Sequence, residues 1–116
     1  MFESDRGARA VTNDESRINS DNANAEQIKI VKLDDFLKDE NVSFIKSDIE
    51  GSEMSMLRGA ANIIQKKKPL IAVTIHHKMS DYYEIPLFIK SLVPEYHFEI
   101  RHYSPIFCET VLYCYI

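Results

Sequence analysis

Apolar positions along this chain fall into short runs and spaced stripes, and the pattern starts only after a long polar stretch. Residues 1 to about 26 are dominated by Asn, Asp, Ser, Glu and Arg, Ala is the main apolar type, and no period of 2 or 3.6 is sustained. Such a composition cannot bury enough surface to offset its ordering entropy, so it reads as a flexible polar arm or the remnant of a loop. The organised region is expected over residues 27–116. Ile28-Lys29-Ile30-Val31-Lys32-Leu33 predicts a short strand, and Asp34 to Lys38 predicts a helical turn with Asp34 as its N-cap. Val42 to Asp48 reads as a buried strand. Ser52 to Lys66 reads as one helix, with Met54, Leu57, Ala61 and Ile64 on its apolar face. Gly59 inside that helix costs about 1 kcal/mol relative to Ala, which points to a close approach to a sheet.

Lys66-Lys67-Lys68 suits a helix carboxyl terminus, where cations complement the dipole, and Pro69 forbids continuation. The triple lysine is therefore read as a solvated helix end rather than as a phosphate or nucleic-acid patch. Pro69 to Ile75 is almost wholly apolar and β-branched, the mark of a strand covered on both faces. Ser80 to Val93 predicts a helix that places Pro86 near its first turn. Tyr96–Tyr103 and Glu109–Ile116 predict two strands whose connection is too short for a parallel crossover, so they pair antiparallel. The fold class is α/β: a partial, Rossmann-like sheet of parallel strands finished by an antiparallel carboxyl-terminal hairpin. A partial sheet leaves an open edge, through which self-association is expected.

Chemistry concentrates where the Val42–Asp48 strand ends. Asp48-Ile49-Glu50-Gly51-Ser52-Glu53 puts three carboxylates around a glycine that lets the chain reverse before a helix. Ligands of open α/β sheets bind outside the carboxyl ends of the strands, so this turn is the candidate site. Asp48 and Glu50 alternate and point to one side of an extended segment. One reading makes Asp48 a general base or orienting acceptor; the other makes both carboxylates caps for the Ser52 and Glu53 amides. Glu53, at the helix start, is read as a cap. His77 follows the strand ending at Ile75, at the same sheet edge, and is a candidate acid/base or acceptor-binding residue. His102, where the hairpin loop begins, and Tyr83, at the rim, are candidate acceptor-binding residues. No metal site is expected: three or four well-placed ligands are needed, and the adjacent pair His76-His77 does not usually reach one ion. Cys108 and Cys114 would lie roughly 20 Å apart along a strand, too far for a disulfide.

A formal net charge of -4 gives no basic face for nucleic acid. No apolar run approaches the ~20 residues of a membrane span, and the start lacks the apolar core of a secretory signal. The expected setting is cytoplasmic.

Leu33-Asp34-Asp35-Phe36-Leu37, Ile45-Lys46-Ser47-Asp48-Ile49-Glu50-Gly51-Ser52-Glu53 and Leu57-Arg58-Gly59-Ala60, in that order, resemble the FkbM family of methyltransferases. Ile75-His76-His77-Lys78 with Asp81 and Ile85-Pro86, then Pro94-Glu95-Tyr96, Arg101-His102-Tyr103-Ser104 and Glu109 to Tyr113, are similar to that family's carboxyl-terminal half. The resemblance implies S-adenosylmethionine as cofactor and a hydroxyl on a small molecule or glycan as methyl acceptor. It implies catalytic roles for Asp48 and His77, and cofactor contacts from Asp48 and Glu50. Class I methyltransferases hold the cofactor mainly on a glycine-rich turn, whereas this chain has only Gly7, Gly51 and Gly59. It is therefore expected to be the carboxyl-terminal portion of such a domain, lacking the cofactor-binding half. The alternative is a non-catalytic half-domain that pairs with a partner chain through its open sheet edge.

Overall fold

The computed structural model describes residues 29–116. The polar stretch 1–26, and Ile28 of the first expected strand, lie outside the described residues. The elements run α1 (Leu33–Leu37), β1 (Phe44–Ser47), α2 (Glu53–Gly59), α3 (Ala61–Lys67), β2 (Leu70–Thr74), α4 (Asp81–Leu92), β3 (His97–His102) and β4 (Thr110–Tyr115). The strands form one sheet in the order β1-β2-β4-β3. β1 and β2 are parallel, with Ile45 opposite Ile71 and Ser47 opposite Val73. β4 inserts antiparallel between β2 and β3, pairing Val73 with Leu112 on one side and Ile100 with Leu112 on the other. The hairpin is antiparallel as expected, and the Tyr103 N–H donates to the Glu109 carbonyl at the base of its loop.

The core lies on one face of the sheet. Ile45, Ile71, Val73, Leu112 and Cys114 meet Leu57, Ala60 and Ile64 from α2 and α3 and Ile85 and Ile89 from α4. Burial supplies most of the stability, at roughly 25 cal/mol per Å² of apolar surface removed from water. Tyr96 is buried at the foot of β3 and its hydroxyl donates to the Pro69 carbonyl. Burial pushes that phenol up to about 12. β2 is buried on both faces, as expected, except at its first residue: Ala72 and Thr74 are each 6% exposed and Leu70 42%.

Other local expectations change as well. Lys29 to Lys32 form no strand, and α1 begins at Leu33 with Lys32 at the N-cap. Asp34, inside α1, instead caps another helix: its Oδ2 and Oδ1 accept the N–H groups of Asn62 and Ile63 at 3.0 and 2.9 Å. That contact goes with a break in the expected single helix. At Ala60 (φ -115°) α2 ends and α3 starts, and the first free amides of α3 need an acceptor, which Asp34 supplies. Gly59 approaches not the sheet but Lys32, whose Cα would sit 3.5 Å from an added Cβ. Pro86 lies in the sixth position of α4, past the first turn. Asp34→Ala is therefore expected to cost about 1 kcal/mol in urea denaturation, as loss of a helix cap does. Asp35→Ala, one residue along and exposed, should change stability by less than about 0.5 kcal/mol.

Candidate active site

The ends of β1 and β2 build one corner. After β1 the chain turns back through Glu50 (φ 55°) and Gly51 (φ 94°), and the Ser52 N–H closes the turn on the Ile49 carbonyl at 3.3 Å. Positive φ at both central residues is the mirror-image turn that favours glycine. Glu50 adopts it at a cost of roughly 1–2 kcal/mol. A Cβ on Gly51 would meet Lys78 Cε at 3.3 Å and His77 Cβ at 3.7 Å, so the turn packs directly on the segment after β2.

His77 is the centre of the corner, with its side chain 12% exposed. Its Nε2 faces Asp48 Oδ1 at 3.7 Å and Glu50 Oε2 at 3.5 Å. Its Nδ1 lies 3.1 Å from Glu53 Oε1 but off the line of a good hydrogen bond, so this is an ion-pair contact rather than an aligned one. Glu53 has no exposed surface. The same Oε1 accepts the Ile49 N–H at 2.9 Å and the Thr74 hydroxyl at 3.0 Å. Thr74 also reaches Asp48 Oδ1 at 3.3 Å. A buried carboxylate thus ties together the turn after β1, the last residue of β2 and the imidazole.

Asp48, Glu50 and His77, singled out in the sequence, are brought together. The carboxylates do not cap the Ser52 and Glu53 amides, and Glu53 braces the preceding turn rather than its own helix end. His102 is exposed and stands one residue removed from the corner. Its Nδ1 lies 2.7 Å from the Thr110 hydroxyl, which also accepts from Tyr82 at 3.3 Å, while the Thr110 N–H donates to His76 Nδ1 at 3.3 Å. Tyr83 is 59% exposed, and it is Tyr82 that turns inward. Glu53, Thr74 and Asp81 were missed as site residues. Their signal was a polar side chain on a buried stripe: Glu53 precedes Leu57 by one helical repeat, and Asp81 precedes Ile85 and Ile89 likewise.

On the open face of the sheet, a cavity of about 310 Å³ is lined by Lys46, Asp48, Thr74, Glu109 and Tyr113, with Tyr103 at its hairpin side. The Tyr103 and Tyr113 hydroxyls are 2.8 Å apart, and that hydrogen bond raises Tyr113 above the usual phenol range. Asp48 belongs both to this cavity and to the His77 corner. Asp48, His76 and His77 each present a ligand atom, all within 4.8 Å of one another, which makes them the candidate metal donors among the described residues.

The sequence matches the methyltransferase FkbM domain over residues 2–104. The chain belongs to the FkbM methyltransferase family. Among solved structures it is similar to the methyltransferase FkbM from Methylobacillus flagellatus KT, at 39% identity and a TM-score of 0.67, over 72% of this chain and 22% of that one. The chain thus spans about a fifth of the length of that relative. No curated protein matches the sequence. The mixed α/β sheet with its antiparallel final strand is the arrangement expected of a methyltransferase-like fold, and the Asp48–Glu53 turn that carried the resemblance forms the corner described above.

Asp81 adds a pH-dependent term. It is 2% exposed, its Oδ2 has no partner, and its pKa is raised above 3.8, first by burial and next by the charge of Glu53. A raised native pKa means that the folded state binds the proton better; its contribution is full below 3.8 and is lost as pH rises through the native value. Asp81→Asn should therefore gain stability over the wild type as pH rises, the difference closing as pH falls below 3.8. Parallel urea titrations from acid to neutral pH measure it, and a difference independent of pH contradicts the assignment.

Proposed function

We propose that this FkbM-family chain supplies the acceptor side of methyl transfer from S-adenosylmethionine to a hydroxyl oxygen of a small molecule or glycan. The observation that carries the reading is the convergence of Asp48, Glu50 and His77 at the carboxyl ends of two parallel strands, with Asp48 opening into the cavity. The described residues fit one end of the cofactor. Asp48 and Glu109 offer negative charge, and Tyr103 and Tyr113 offer ring faces, both suited to a sulfonium cation. They do not include a glycine-rich turn for the nucleoside and amino-acid ends, so a complementary glycine-rich half is proposed to act with this one.

Bound there, the cofactor supplies an electrophilic methyl group. The chain's own residues then act on the acceptor. Asp48, 57% exposed, accepts the hydroxyl's hydrogen bond and is the group to which its proton passes. His77, anchored by Glu53, fixes the Asp48 carboxylate from behind, and Glu50 is held toward it by its strained turn. Placing the hydroxyl in line with the methyl carbon accounts for much of the barrier reduction in such a transfer. The proposed setting is cytoplasmic; among the described residues no helix is long and apolar enough to cross a membrane.

A second reading is favoured by one observation: the outer edge of β1 is unpaired among the described residues, beside Phe44 at 54% exposure. A sheet edge of that kind can be completed by a strand from a partner chain without any chemistry. Reconstitution with a glycine-rich FkbM half and transfer of a labelled methyl group separates the two. The methyltransferase reading expects transfer, lowered about 100-fold or more by Asp48→Asn with the fold intact, and lowered more than stability is by His77→Ala. Assembly without transfer supports the pairing reading instead. Micromolar binding of S-adenosylmethionine by the isolated chain would overturn the need for a second half.

A further inference from the structure

We infer that the His77 corner is a divalent transition-metal site, with Asp48, His76 and His77 as its donors and Glu50 in reach as a further one. Two premises argued against a metal in the sequence: too few placed ligands, and a His76-His77 pair unable to share an ion. The fold changes both. The rings of His76 and His77 lie with centroids 4.1 Å apart, and each has a ligand atom within 4.8 Å of the other and of Asp48. The mirror-image turn adds Glu50, whose Oε2 is 3.5 Å from the same His77 nitrogen that lies 3.7 Å from Asp48. An ion held at about 2.1 Å by each ligand joins atoms up to roughly 4 Å apart, so the Asp48, His76 and His77 set closes on one ion with a small rotation of the exposed Asp48 carboxylate.

The far side of the imidazole strengthens the case. Metal-ligating histidines carry their second ring nitrogen against a carboxylate or carbonyl, which fixes the tautomer and leaves the other nitrogen bare for the metal. His77 has this arrangement: Nδ1 lies against Glu53, which is itself locked by the Ile49 N–H and the Thr74 hydroxyl. Without a cation, the corner sets Asp48, Glu50, Glu53 and Asp81 close together with Lys78 as the nearby compensating charge. Two imidazoles and one carboxylate, with a second carboxylate adjacent, suit zinc or manganese better than magnesium or copper(I). Three protein donors with a position left open is the composition of a catalytic rather than a closed structural site. An ion here would acidify an acceptor hydroxyl brought to the cavity mouth, leaving the second oxygen of Asp48 to take its proton.

The inference rests on the corner's geometry and not on methyl transfer, so either can fail while the other stands. Calorimetric titration of the 116-residue chain with ZnCl2 should show one ion per chain with micromolar or tighter affinity. Asp48→Asn should weaken it at least tenfold, and Glu53→Gln, which touches no ion, by ten- to a hundredfold. His97→Ala, at the exposed start of β3, should leave it unchanged. Manganese added to the ¹⁵N-labelled wild type should broaden the amide signals of Asp48 to Glu53 and of His76 to Lys78 first, a readout needing no variant. No binding at millimolar zinc, binding unaltered by both Asp48→Asn and Glu53→Gln, or broadening centred elsewhere would each overturn the proposal.

Discussion

Everything at the candidate site depends on a carboxylate with no contact with water. Burying Glu53 is unfavourable unless the group is hydrogen-bonded, and only one of its oxygens is, Oε2 having no partner. Its Oε1 gathers the Ile49 amide, the Thr74 hydroxyl and the His77 ring, one from each of the three segments that form the corner. The glycine-bearing turn, the end of β2 and the chain entering α4 are thereby held at fixed separations. Asp48 and Glu50 are exposed, yet they point at one nitrogen because the buried group beneath them leaves the backbone little choice.

The topology supplies the rest of that constraint. Parallel pairing of β1 with β2 puts both carboxyl ends at the same edge, so residues 21 or more positions apart in sequence meet in space. Insertion of β4 beside β2 brings Thr110 under His76 and the Tyr103–Tyr113 pair to the cavity. The helices cover the opposite face, where Leu57, Ile64, Ile85 and Ile89 are wholly buried. The face with the cavity stays open among the described residues, with Leu70 and Tyr115 exposed along it.

Much of this was legible in the sequence because the strongest signals are local. The apolar β-branched run before Ile75 and the hairpin after Pro94 have one reasonable reading, and the strand ending at Asp48 has a glycine turn after it. What was not legible required tertiary information. The 52–66 stretch has continuous helical periodicity, and Gly59, the local mark beside Ala60, was read as a close approach instead of a break; Asp34, from α1, satisfies the new helix end. Met54 and Ala61 were placed on the buried stripe, whereas the observed stripe is Glu53, Leu57, Ala60 and Ile64, one position earlier over much of its length. An acidic residue in a core position reads as an error in the pattern until a partner is known. Ser47 poses the same problem in reverse, being buried with an unpartnered hydroxyl where an apolar side chain would serve as well.

The central claim is that buried Glu53 holds the His77 ring with Nδ1 against its own carboxylate and Nε2 toward Asp48 and Glu50. Long-range ¹H–¹⁵N spectra of the imidazoles at neutral pH test it directly. The account expects the Nδ1–H tautomer for His77 in the wild type and its loss in Glu53→Ala, with the sheet signals preserved. A neutral His77 protonated at Nε2 in the wild type, with or without Glu53, would contradict it.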